Sequence, residues 1–94
     1  MRYLLIDDLR EVGADYTART YADGIDALRK GGWDVLYLDH DLGCFDESGR
    51  EQTGYDIMCW LEANPEFLPG KIVLVTSNPS GRQKMQQVVD KLYG

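Results

Sequence analysis

Three apolar runs punctuate the chain: Tyr3-Leu4-Leu5-Ile6, Val35-Leu36-Tyr37-Leu38 and Ile72-Val73-Leu74-Val75. Continuous runs of this length suit strands buried on both faces, the pattern of a parallel sheet. Ala18-Arg19-Thr20-Tyr21 is more polar and reads as an edge strand. Helical periodicity fills the gaps. Asp23 is placed to cap a helix through Ile25, Leu28 and Lys30, stopped by Gly31-Gly32. Thr53 is placed to cap a second, through Ile57, Met58, Trp60 and Leu61, ending before Pro65. Met85, Val88, Val89 and Leu92 form one face of a third, preceded by Pro79-Ser80-Gly81. Strands alternating with helices predict an α/β domain with helices over a mostly parallel sheet. The first connection, after Asp8, is only about ten residues, near the minimum for a parallel crossover. Its helix is one or two turns, or absent.

At 94 residues the chain is one domain, spanning 1–94. Its net charge of −6 speaks against sequence-independent DNA binding, which needs surplus Lys and Arg. No apolar run approaches a membrane span. The N-terminus meets Asp7-Asp8 too soon for a signal peptide. Cys44 and Cys59 read as reduced thiols used in packing, as in a cytoplasmic protein.

Ligands of open α/β sheets bind beyond the carboxyl ends of the strands. Here those ends are polar in concert. The first ends in Asp7-Asp8, with Arg10 beyond; the next in Asp39-His40-Asp41-Leu42-Gly43; the last in Thr76-Ser77-Asn78-Pro79. With strand order 2-1-3-4, Asp7, Asp8, Asp39 and Asp41 converge on one edge. Clustered carboxylates cannot all stay ionised without a counter-charge, and a hard cation, Mg²⁺ or Mn²⁺, resolves this. Asp7, Asp8 and Asp39 are the candidate metal ligands. Arg10, Ser77, Asn78, Arg82 and Lys84 are candidate phosphate contacts, beside the N-terminus of the last helix. His40 and Asp41 are the candidates for proton transfer. An acid after a strand is often only a cap, and Ser77 or Asn78 alone often only a turn former. The run Asp46-Glu47-Ser48-Gly49-Arg50-Glu51 reads as a solvated loop, and Trp33, Trp60 and Tyr55 as core or crevice wall.

The acid pair, the later Asp39 and the hydroxyl after the last strand resemble the receiver domain of two-component signalling. That resemblance implies a metal pair at Asp7 and Asp8, a phosphoacceptor at Asp39 and a switch hydroxyl at Thr76 or Ser77. A receiver's fifth strand, ending in a lysine, is not expected, because the chain reaches Gly94 just after its last helical segment. More of the chain is similar to a receiver-like family proposed to process cyclic phosphates. The match rests on Ile6-Asp7-Asp8-Leu9-Arg10, Asp39-His40-Asp41-Leu42-Gly43, Thr53-Gly54-Tyr55, and Thr76-Ser77-Asn78-Pro79-Ser80-Gly81-Arg82-Gln83-Lys84-Met85. The family's last motif, H-S-x-N-P-x-G-x-x-N-M, is altered: Thr76 stands for the histidine, the extra residue is missing, and Lys84 stands for an asparagine. The resemblance implies a small three-layer flavodoxin/receiver-like fold, with a four-stranded parallel sheet (order 2-1-3-4), short helices and no fifth strand.

Three functions follow as expectations. One is a metal-dependent phosphoesterase that acts on or binds a cyclic phosphate or nucleotide phosphate. Another is a non-catalytic receiver-like domain, bacterial or phage-encoded, that binds a host or partner protein. The third is a phosphoacceptor. The expected partner is a small phosphorylated ligand or a cyclic-phosphate end, with a protein partner as the alternative.

Overall fold

The computed structural model describes all residues, 1–94. Each apolar run becomes a strand: β1 (Tyr3–Ile6), β3 (Val35–Leu38) and β6 (Lys71–Leu74), with the edge strand β2 at Tyr16–Ala18. The remaining strands, β4 (Cys44–Phe45) and β5 (Glu51–Gln52), pair with each other alone, antiparallel. The helices are α1 (Tyr21–Lys30), α2 (Gly54–Ala63) and α3 (Pro79–Tyr93), with a 3₁₀ turn at Pro65–Phe67. The main sheet runs β2-β1-β3-β6, all parallel. In order of the strands within it, that is 2-1-3-4.

The sheet's two faces differ. Leu4, Ile6, Ala18, Leu36, Leu38, Ile72 and Leu74 share one cluster with Ile25 and Leu28 of α1, Ile57, Met58 and Leu61 of α2, and Met85 of α3. All three helices therefore lie on one face. The cause is handedness. Parallel crossovers are right-handed, so β2→β3 and β3→β6, which step the same way across the sheet, must place α1 and α2 together. The β1→β2 step runs the other way, and its connection belongs on the opposite face. That connection is a segment with no helix, so the third layer is only a loop. The face under that loop carries Tyr3, Leu5, Val35, Tyr37 and Val73, by strand alternation and register; Leu5 and Val35 are buried, and Tyr3, Tyr37 and Val73 are half-buried. Tyr3 and Tyr37 stack across it with ring centres 6.1 Å apart.

Several boundaries differ from the pattern-based expectation. The edge strand begins and ends earlier than Ala18–Tyr21, and Tyr21 opens α1 instead. Thr20 caps that helix, its Oγ1 accepting from the Asp23 amide at 3.2 Å. Asp23 then contributes its charge to the first turn, where the helix dipole favours an acid. Thr53 does cap α2, its own amide donating to Asp56 Oδ2 at 2.9 Å. The acidic stretch is the turn of the β4–β5 hairpin, tied by Asp46 Oδ1, which accepts from the Ser48 and Arg50 amides. Trp33 is core and donates its indole N–H to the Ala27 carbonyl at 2.7 Å. Trp60 stacks on Phe67. Both cysteines are free, but only Cys44 packs against the core as expected; Cys59, on the outward side of α2, is exposed.

Candidate functional site

The parallel ladders extend just past the strands and fix the first acids. The Asp7 amide donates to the Ala18 carbonyl at 3.1 Å and the Asp39 amide to the Ile6 carbonyl at 3.0 Å. The first ties the end of β1 to β2, and the second holds the ends of β1 and β3 side by side. Carboxylate oxygens of Asp7, Asp8 and Asp39 consequently lie within 4.8 Å of one another. Asp7 is buried, 2 % exposed. Its Oδ1 accepts from the Leu9 and Arg10 amides at 3.0 and 3.2 Å, a turn in which the side chain substitutes for backbone. Its Oδ2 meets Arg10 Nη1 at 3.3 Å. Burial, a hydrogen bond with Asp7 and the negative charges of Asp7 and Asp39 hold the Asp8 carboxyl above its ordinary range.

This donor set fits a hard divalent ion. It is all oxygen, and Arg10 is the one cation bonded to a carboxylate of the three. Two negative charges are left without a bonded counter-charge, which suits Mg²⁺ or Mn²⁺. Gly43 backs onto Asp8. Its φ is +65°, and a Cβ there would lie 3.2 Å from Asp8 Oδ2.

Arg10 spans the crevice. Besides Asp7, its guanidinium donates to the Val75 carbonyl at the end of β6. A positive charge thus stands beside the acid cluster on the β6 side. Arg19 braces this loop by donating to the Arg10 carbonyl at 3.0 Å and pairing with Glu11.

His40 and Asp41 sit together, with His40 Nδ1 and Asp41 Oδ1 at 3.0 Å. The imidazole packs flat on the first turn of α3. A Cβ on Gly81 would come within 2.5 Å of His40 Cγ and Cδ2, so only glycine leaves room for the ring. Asn78 approaches the same ring nitrogen at 3.5 Å with Nδ2, while its Oδ1 accepts from the Gly81 amide at 3.0 Å and caps the helix. The backbone behind His40 is equally tight. The Gly54 amide donates to the His40 carbonyl at 2.8 Å, and a Cβ on Gly54 would lie 1.9 Å from the Asp39 carbonyl oxygen.

The remaining candidates divide. Thr76 is buried and accepts from the Asn78 amide, which shapes the turn, whereas Ser77 is exposed. Counted back from Asn78-Pro79 without a gap, Thr76 falls on the serine of the family pattern and Val75 on its histidine. Arg82 turns away along the sheet edge and donates to the Leu74 carbonyl at 3.1 Å. Lys84 lies on the other side of α3, its Nζ 5.1 Å from the centre of the Tyr55 ring. Residues two apart on a helix point about 200° from each other, and that separates the two cations. Lys84, Tyr55 and His40 line a cleft with Arg50, Glu51, Thr53 and Asp56. Arg50 carries no chemical signal in a polar loop. Gly54 and Gly81 lie within the Thr-Gly-Tyr and Pro-x-Gly motifs, but their role as spacers shows only in three dimensions.

No helix is long and apolar enough to cross a membrane. Comparison with curated proteins and with solved structures gives no match. The profile of one protein family, the cyclic-phosphate processing receiver domain, matches residues 2–91. With that match covering nearly its whole length, the chain belongs to the cyclic-phosphate processing receiver domain family.

Proposed function

We propose that the crevice is a metal-dependent phosphoesterase site for a cyclic phosphate. The observation that carries this reading is the three-carboxylate cluster with a histidine on the adjoining residue. Asp7, Asp8 and Asp39 would hold Mg²⁺ or Mn²⁺, and a bound ion would supply charge neutralisation and Lewis-acid polarisation to a phosphoryl group. Arg10 and Asn78, with Ser77, hold the anion from the β6 side. Arg82 and Lys84, on opposite sides of α3, act at most at the margins. His40 is the only histidine in the chain, so it falls to His40 to take a proton from the attacking water and to give one to the leaving oxygen. Asp41, at 3.0 Å from Nδ1, orients the ring. Cys44 and Cys59 suit a reducing, cytoplasmic setting.

The test is phosphorus NMR of 2′,3′- and 3′,5′-cyclic phosphates incubated with the protein and Mg²⁺ or Mn²⁺. Metal-dependent ring opening, abolished in a folded Asp39→Asn variant, is the expected result. Ring opening that survives Asp39→Asn would refute it. A second reading, a non-catalytic receiver-like domain that docks a partner protein, is favoured by the helix-free sheet face bearing Tyr3, Tyr37 and Val73. A folded, metal-loaded protein without turnover on the whole panel would favour that reading.

A further inference from the structure

The cleft between α2 and α3 lies immediately beside the acid cluster and shares a wall with it. That wall is His40, whose backbone follows Asp39 directly and whose ring lies on Gly81. The cleft has a volume of about 360 Å³, at the lower end of small-ligand sites. Its lining is unusual for a phosphate pocket. Arg50 and Lys84 are offset by Glu51 and Asp56, and Arg50 is already paired with Asp56 at 2.9 Å. The formal charge therefore cancels, and a second anionic group gains little there. No aliphatic side chain lines it, so it does not suit a lipid tail. It offers one aromatic face, Tyr55, between donors and acceptors of both kinds. Lys84 stands over that half-buried face but is itself exposed, and a solvated cation at 5.1 Å from the ring centre is easily displaced.

Resting on the phosphoesterase reading, we infer that this cleft receives the base of a nucleoside cyclic phosphate, stacked on Tyr55 while its phosphate lies at the Asp7–Asp8–Asp39 cluster. A nucleobase matches each feature of the lining. It is flat and uncharged, and its edge carries donors and acceptors that Thr53, Glu51 and Arg50 can meet. Base stacking on an aromatic side chain is sequence-tolerant and strong enough to select nucleotides over base-free phosphates.

Affinities for adenosine 2′,3′-cyclic phosphate and for inositol 1,2-cyclic phosphate, which lacks a base, test this in wild type, Tyr55→Phe and Tyr55→Leu with Mg²⁺ present. Wild type should prefer the adenosine ligand. Tyr55→Leu should weaken it by roughly 5- to 150-fold, the range for one lost stack, while Tyr55→Phe retains it. The inositol ligand should bind all three proteins alike. Equal binding of both ligands, indifferent to Tyr55→Leu, would overturn the base pocket and leave the cyclic-phosphate reading standing. If neither cyclic phosphate binds, that reading falls, and adenosine alone decides the cleft. Shifts of Tyr55 and Lys84 resonances at millimolar adenosine would uphold the pocket; their absence would overturn it.

Discussion

His40 and Gly81 are in contact so close that no side chain fits between them: a Cβ on Gly81 would stand 2.5 Å from two ring carbons. The imidazole is thereby held between the first turn of α3 and Asp41. Alanine inside a helix ordinarily gains about 1 kcal/mol over glycine. At Gly81 that gain is opposed by displacement of the ring. Gly81→Ala should leave stability within about 1 kcal/mol of wild type and lower turnover of a cyclic phosphate by about 100-fold, the lower end for lost proton transfer. Urea unfolding and initial rates check the two halves. Wild-type rates would show that the position of His40 does not matter.

Gly54 has no such freedom, because the atom in the way is the Asp39 carbonyl oxygen, fixed in the backbone. Gly54→Ala must push α2 off the end of β3 and strain the hydrogen bond that the Gly54 N–H donates to the His40 carbonyl. The expected cost is about 3 kcal/mol, or a fall in thermal midpoint of more than about 10 °C for a domain of this size. A loss under about 1 kcal/mol by urea unfolding would contradict the packing described for this junction.

Asp8 gives a pH-dependent prediction with a definite sign. Its carboxyl is held above the ordinary range by burial and by Asp7 and Asp39, so ionising it costs the folded state. Without metal, Asp8→Asn should therefore be more stable than wild type at neutral pH, by about 0.5–1 kcal/mol for partly exposed charges. The two should converge as pH falls below about 4, where Asp8 is protonated folded or unfolded. Divalent metal should reverse the order, since an ion at 100 times its Kd adds about 2.7 kcal/mol to the protein that binds it. Thermal melts across pH, with chelator and with Mg²⁺, read both effects.

Thr20→Ala separates stability from function. Loss of the Oγ1 cap on the Asp23 amide should cost about 1 kcal/mol. Metal affinity by calorimetry should not change, because α1 supplies none of the three acids. A changed affinity would mean that α1 couples to the crevice.

Much of this arrangement is legible in the sequence, for identifiable reasons. Apolar runs around Leu4, Leu36 and Val73 suit buried parallel strands, and parallel strands carry their loops, with Asp7, Asp8 and Asp39, to one end. The unequal faces are not legible. Tyr3, Leu5, Tyr37 and Val73 are as apolar as their neighbours, and alternation does not reveal that a loop rather than a helix lies over them. The cap of α1 is ambiguous because Thr20 and Asp23 both qualify; the structure uses Thr20 as cap and Asp23 as the third helical residue. Arg82 and Lys84 look equivalent in sequence, but the helical turn sends one to the Leu74 carbonyl and the other to Tyr55. Arg10 is near the acids in sequence, yet its contact with Val75 depends on β6 lying next to β3.

The central claim is that Asp7, Asp8 and Asp39 form one metal site, and paramagnetic broadening by Mn²⁺ tests it most directly. Substoichiometric Mn²⁺ added to ¹⁵N-labelled protein should erase the amide signals of residues 7–9 and 39–41 first, while those of the β4–β5 hairpin turn, acidic but outside the cluster, persist. Asp39→Asn should abolish the selective loss. Broadening spread evenly over the acidic surface, or centred on Asp46 and Glu47, would show that the three carboxylates do not act together as a ligand set.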